Sequence, residues 1–181
     1  MKHITQPSPF ATLLEPEVIR LERLLPGPIE RVWAYLTDGE LRRKWLAAGQ
    51  MDLRPGAAFE LVWRNDELTD PPGQRPENFG EEHRMTSHIV EVSAPHKLVF
   101  TWGEQERGEV CFELAPLGEE VKLTVTHRRL PSASLLGVSA GWHAHLDLLV
   151  VLVSDVVPQP HWDHWTALRT EYARRYGDIG A

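Results

Sequence analysis

The chain has 181 residues, of which 42% are hydrophobic and 25% charged, and its formal net charge is −7. These proportions suit one globular domain, able to bury about 70% of its unfolded surface. The acidic balance argues against nucleic acid, which is usually met by a basic stripe; the single cysteine, Cys111, precludes an intramolecular disulfide and fits a reducing cytoplasm.

Residues 1–16 read as an extended arm broken by Pro7, Pro9 and Pro16, with no basic-then-apolar leader. From Val18 to Leu25, Ile19, Leu21 and Leu25 alternate with Arg20, Glu22 and Arg23 as in a half-buried strand, ended by Pro26-Gly-Pro28. Pro28 suits a first helical position, and Ile29, Val32, Trp33 and Leu36 give the following helix one apolar face. Asp38 is a plausible N-cap for a second short helix, with Leu41 and Trp45 four apart.

After Gly49 the pattern turns to strands. Met51 to Arg54 is a short one and Pro55-Gly56 a turn. Phe59, Leu61 and Trp63 share one face of the next, Ala58 to Arg64. Residues 65–80 are rich in turn residues and form a long loop, either a functional lid or a mobile segment. Arg84 to Val92 is a strand. Lys97 to Trp102 follows with Leu98, Phe100 and Trp102 together, then Glu109 to Leu114 with Val110, Phe112 and Leu114. The intervening Gly103–Gly108 segment reads as a polar turn. In Val121 to His127, Leu123, Val125 and His127 share a face. Clean alternation with short turns implies an antiparallel sheet with one covered face.

The stretch Ser139 to Val157 dominates the rest. Trp142, Leu146, Leu149 and Val153 recur at helical spacing, and His145, Leu152 and Val156 widen the stripe. Asp147 and Asp155 interrupt it, leaving fewer than the ~20 uncharged residues a bilayer span needs. Pro158-Gln-Pro160 ends this helix. A last one follows, with Trp162, Trp165, Leu168 and Tyr172 as its stripe, folding back on the domain or on a second subunit of a homodimer.

This order resembles the helix-grip fold of the START/SRPBCC superfamily, the fold of the birch-pollen-allergen-like proteins. The local match is closer to its branch of bacterial proteins named after the activator of heat-shock-protein-90 ATPase. The resemblance is carried by the stretch Pro28 to Asp38, by Arg43-Lys-Trp-Leu46, Leu53-Arg-Pro-Gly56 and Val90-Glu-Val92, and by Leu98-Val-Phe-Thr-Trp102, Leu123-Thr-Val-Thr-His127 and Gly141-Trp-His-Ala-His-Leu146. Two positions depart from the branch: Leu46 stands where a second aromatic is usual, and Ala57 where a second glycine is. The resemblance implies an α+β fold in which a curved antiparallel sheet of six to seven strands grips a long C-terminal helix around an apolar cavity. Residues 17–157 would form this ligand-binding domain, flanked by the arm at 1–16 and a helical appendage at 158–181.

The cavity lining expected is Trp45 from the second short helix, Phe59, Leu61, Trp63, Phe100, Trp102, Phe112 and His127 from the strands, and Trp142, His145, Leu146 and Leu149 from the long helix. The same residues would equally make a packed core. His127 is the polar exception on the covered face. It suits orientation of a ligand carbonyl or hydroxyl, general-base chemistry, or a purely structural hydrogen bond. His145 would meet it across the cavity, with Glu91 and Glu113 as the nearest carboxylates. No metal or cofactor is expected. His143 and His145 diverge on a helix, His161 and His164 have only Asp163 beside them, and Cys111 has no basic neighbour.

Three functions follow. The first is a binder of a small hydrophobic or amphipathic molecule. The second is a cyclase- or hydrolase-like enzyme using the same cavity with His127 as acid/base. The third, a chaperone partner activating the heat-shock-protein-90 ATPase, is disfavoured because the eukaryotic activators carry a separate N-terminal domain that a sixteen-residue arm does not replace.

Overall fold

A computed structural model describes residues 7–103 and 108–177. The interior of the 103–108 turn, the first six residues of the arm and the last four of the appendage lie outside the described residues. Alternation at period two yields strands β1 (Thr12–Glu15), β2 (Val18–Pro26), β3 (Ala58–Trp63), β4 (His83–Ser93), β5 (Lys97–Thr101), β6 (Glu109–Leu117) and β7 (Glu120–Arg128). They form one antiparallel sheet in the order β1-β2-β7-β6-β5-β4-β3. Between β2 and β3 lie α1 (Ile29–Thr37) and α2 (Gly39–Arg42); α3 (Leu135–Val153) and α4 (His161–Tyr176) close the chain.

Four expectations need correction. Part of the arm is not free: Thr12–Glu15 pairs with β2 as an edge strand. Met51 to Arg54 is not a strand, and only Ala48 bridges to Val62 there. The second short helix stops at Arg42, so Trp45 lies in the turn beyond it, although Asp38 does accept from the N–H groups of Glu40 and Leu41. The long helix runs over Leu135–Val153 rather than to Val157, because Asp155 adopts a left-handed conformation (φ 54°) and turns the chain away. Val156 and Val157 are therefore outside the helix, and Val157 is 88% exposed.

The α1–α2 corner is fixed by a fully buried Arg42, whose guanidinium donates to the carbonyls of Leu36, Thr37, Ala47 and Gly49. Burial lowers its pKa to about 10, so it stays charged. Gly49 (φ +121°) passes so close to the Glu60 carbonyl that any Cβ would collide with it.

Helix α3, about 28 Å long at ~1.5 Å per residue, is covered on two sides, which explains its apolar character all round. Residues Ser132–Val153 are long and apolar enough to cross a bilayer, yet here they pack inside the protein. Trp142, Leu146, Leu149 and Val153 face the sheet core. On the opposite side the small residues Ala140 and Ala144 admit Trp162, Trp165, Leu168 and Tyr172 of α4. Phe10 of the arm packs into this second layer, with the Arg175 guanidinium over its ring.

The 65–80 segment is held, not loose. Thr69 accepts from the His161 N–H (3.0 Å), the Pro72 carbonyl from the Trp162 N–H (2.9 Å), and the Asp163 carboxylate from the Gln74 N–H (2.8 Å). Asp66 accepts from the Trp162 indole (2.8 Å) and pairs with Arg75 (2.6 Å), while Phe79 packs at an angle against Trp162 and edge-on against Trp165. The segment thus seals the N-terminal end of α4.

Candidate functional site

Strand register builds the interior site. His127 lies opposite Ile19 on β2 and Val110 on β6, Val110 opposite Phe100 on β5, and Phe100 opposite Ile89 on β4. One row thus crosses the sheet with His127 as its polar member. Period-two alternation fixes the inward direction of all five side chains, and all are buried.

Above this row the aromatic residues form a continuous strip. Phe59 meets Phe100 (ring centroids 5.6 Å apart), Phe100 meets Phe112 (5.5 Å), and Phe112 meets Trp142 of α3 (5.8 Å). Trp142 meets Trp102 (5.6 Å), and Trp102 meets Trp63 (5.7 Å). Such spacings are those of edge and offset ring packing. The rings fill the space between sheet and α3 against one another, together with Leu61, Leu146 and Leu149. Trp102 is only partly buried and marks where the strip reaches the surface. Two clefts lie elsewhere, one between α3 and α4 and one beside β3.

His127 has a defined protonation state. The Trp142 indole N–H donates to its Nδ1 at 3.1 Å. An indole nitrogen is only a donor, so Nδ1 must be the unprotonated nitrogen and the proton sits on Nε2. Burial pushes the pKa down to about 4, so the ring is neutral near pH 7. Its Nε2–H is buried without a partner among the described residues. Gly108 faces it: a Cβ there would lie 3.2 Å from Nε2 and 2.9 Å from Trp102 Cβ.

The expected meeting of His145 with His127 does not occur. His145 Nδ1 lies 2.7 Å from the Trp45 carbonyl and its ring packs on His161 (4.9 Å). This ties the Trp45 backbone to α3, while the Trp45 side chain sits in the sheet-side core. Burial lowers His145 to about 4 and His161 to about 2. Glu91 and Glu113 do not serve His127 either, since Glu91 pairs with Lys97 (3.2 Å) and both carboxylates point outward from the sheet. Cys111 is on the outer face too, and burial raises its thiol to about 11. Among the described residues no group of three or more His, Cys, Asp or Glu side chains is placed to hold a metal.

A second polar cluster escaped the sequence reading. Asp147 on α3 takes Arg23 on one oxygen (Nη2 2.9 Å, Nε 3.2 Å); its other oxygen lies 2.9 Å from His164 Nε2 and 3.3 Å from His143 Nε2. Burial alone would raise this carboxyl, but the two histidines and Arg23 hold it well below the usual carboxylate range. The Tyr172 hydroxyl accepts from the Ala11 N–H (2.7 Å) and lies 2.9 Å from His143 Nδ1. The i, i+4 spacing of His143 and Asp147 was the only local signal; the other partners come from β2, α4 and the arm.

A curved sheet gripping a C-terminal helix, with an aromatic interior and one inward histidine, defines a helix-grip, SRPBCC-type protein, a fold of the ligand-binding kind. The chain belongs to the family described as Activator of Hsp90 ATPase homolog 1-like protein, which matches residues 26–154. The protein encoded by gene BPP1335 from Bordetella parapertussis has a similar structure (TM-score 0.75) and is 35% identical over 95% of each chain. CalU16 from Micromonospora echinospora shares the fold at 19% identity (87% of this chain, 86% of that one, TM-score 0.64). So does EF2215 from Enterococcus faecalis, a conserved protein of unknown function, at 18% identity (93% and 90%, TM-score 0.65). No curated protein sequence matches the chain.

Proposed function

We propose that the protein binds a small hydrophobic or amphipathic molecule between the sheet and α3, through a hydrogen-bond acceptor on that molecule. The single observation that carries this is the unpartnered, buried Nε2–H of His127 amid aromatic rings. Leaving such a donor unpaired costs about 1–3 kcal/mol, which a ligand carbonyl or ether oxygen would recover. Trp102, only partly buried, and Gly108, which packs close to Nε2, are the groups that must move to admit it. The Trp142 indole occupies His127 Nδ1 and leaves Nε2 as a donor rather than a base, which favours binding over cyclase-like or hydrolase-like chemistry. A lone free thiol, Cys111, suits a reducing cytoplasm, the compartment we propose.

The test compares 2-acetylnaphthalene with 2-ethylnaphthalene, of similar shape but lacking the acceptor, by quenching of tryptophan fluorescence. The ketone should bind about tenfold more tightly, the value of one hydrogen bond near 1.4 kcal/mol, and His127→Phe should erase the difference. Equal affinity of the two probes for the unaltered protein would refute the role given to His127.

A further inference from the structure

On the face of α3 turned away from the sheet there is a separate cleft of about 190 Å³. Leu148 and Val151 of α3 and Val157 and Pro158 of the link to α4 give it aliphatic walls, with Thr69, Asp147 and Gln159 at its edges. Two imidazoles, His161 and His164, also line it; they lie three apart on α4 and so share a face.

The Asp147 cluster orients His164. Arg23 occupies one carboxylate oxygen, and His164 Nε2 approaches the other at 2.9 Å. An ionised carboxylate only accepts, so Nε2 of His164 must carry the proton. In the neutral ring Nδ1 is then a lone pair, and it has no partner among the described residues. His161, 3% exposed, adds a ring whose Nε2 is buried and unpartnered. Aliphatic side chains beside an acceptor call for an apolar body bearing a hydroxyl, which can donate to it. Volume limits the body: a cavity of about 150 Å³ takes benzene, whereas drug-sized sites span about 300–1,000 Å³. No Arg or Lys lines the cleft, and the Asp147 charge is matched by Arg23, so neither an anion nor a cation is favoured.

We propose that the α3–α4 cleft is a second binding site, separate from the sheet–α3 interior, for an uncharged one-ring molecule with a hydroxyl group, such as a simple phenol, held by His164 Nδ1. It stands on different residues from the interior site and does not depend on it.

The experiment titrates the full chain with 4-fluorophenol and with 4-fluoroanisole, its methyl ether without a donor, followed by ¹⁹F NMR and by ¹H–¹⁵N shift mapping. The phenol should bind at least tenfold more tightly than the ether, and its shifts should centre on Ala144, Leu148 and His164. Val151→Trp, which fills the cleft, should weaken the phenol at least tenfold. His164→Phe should abolish the preference over the ether, and His127→Phe should leave it unchanged. Equal binding of the two probes, no saturable binding, or shifts centred on Trp102 and His127 would each overturn the proposal. The shift map on the unaltered protein decides the matter even if Val151→Trp does not fold.

Discussion

Buried neutral histidines make the fold sensitive to mild acid, and the size of the effect follows from their surroundings. Burial holds His127 and His145 at about 4 and His161 at about 2, against an ordinary 6.5. In the unfolded chain all three take up protons as pH falls through 6.5, while in the folded protein they do not. The unfolded state therefore binds more protons between pH 6.5 and 4, and stability falls as pH falls through that window. Each fully mismatched histidine contributes about 1.4 kcal/mol per pH unit, so three remove about 5 kcal/mol between pH 7 and 5. That is comparable to the whole stability of many domains. Asp147, whose pKa is depressed, stabilises the fold above the carboxylate range, and its contribution is lost only at lower pH, outside this window. Urea denaturation followed by tryptophan fluorescence at pH 7, 6 and 5 measures the loss. His145→Asn keeps a donor in place for the Trp45 carbonyl but cannot titrate, and should remove about a third of the pH dependence. Stability constant to within about 1 kcal/mol between pH 7 and 5, or an unaltered slope in His145→Asn, would refute the reasoning.

Two further predictions concern stability at pH 7. Trp142→Ala should cost about 3–5 kcal/mol, since it removes a buried ring between Phe112 and Trp102 and strips His127 Nδ1 of its donor; a loss below about 1 kcal/mol in urea denaturation would mean that the ring is not packed there. Asp147→Asn should cost about 3 kcal/mol because Arg23, only 7% exposed at its side chain, stays buried without a counter-charge. An unchanged urea midpoint would argue that Arg23 finds water instead.

What could be read from the sequence was what depends on local period. Alternation placed Leu123, Val125 and His127 on one face, and the structure keeps all three inward. Helical spacing likewise put Trp142, Leu146 and Leu149 toward the sheet. The apolar Val156 and Val157 continue the pattern of α3 past its end, because the stop comes from backbone geometry at Asp155 rather than from a glycine or proline. β1 has only four residues, mostly exposed, and its partner β2 rather than its own pattern makes it a strand. Distant partners were beyond reach: the Trp45 carbonyl is a hundred residues from His145, and Asp163 meets Gln74 across eighty-nine. A histidine's role depends on its partner, so the apolar stripe gives the burial of His145 but not its neighbour, the Trp45 carbonyl.

The stitching of α4 to residues 69–74 bears on how the chain can be divided. The family match ends at 154, yet a cut after 157 would take away the roof over Ala140 and Ala144 and the second histidine at Asp147. The same cut would unmoor Phe79 and the strap that ends at β4, and leave Phe10 with His143 of α3 but without Tyr172. The final helix is a keystone of the outer layer, and a shortened protein would inherit a raw apolar flank prone to self-association.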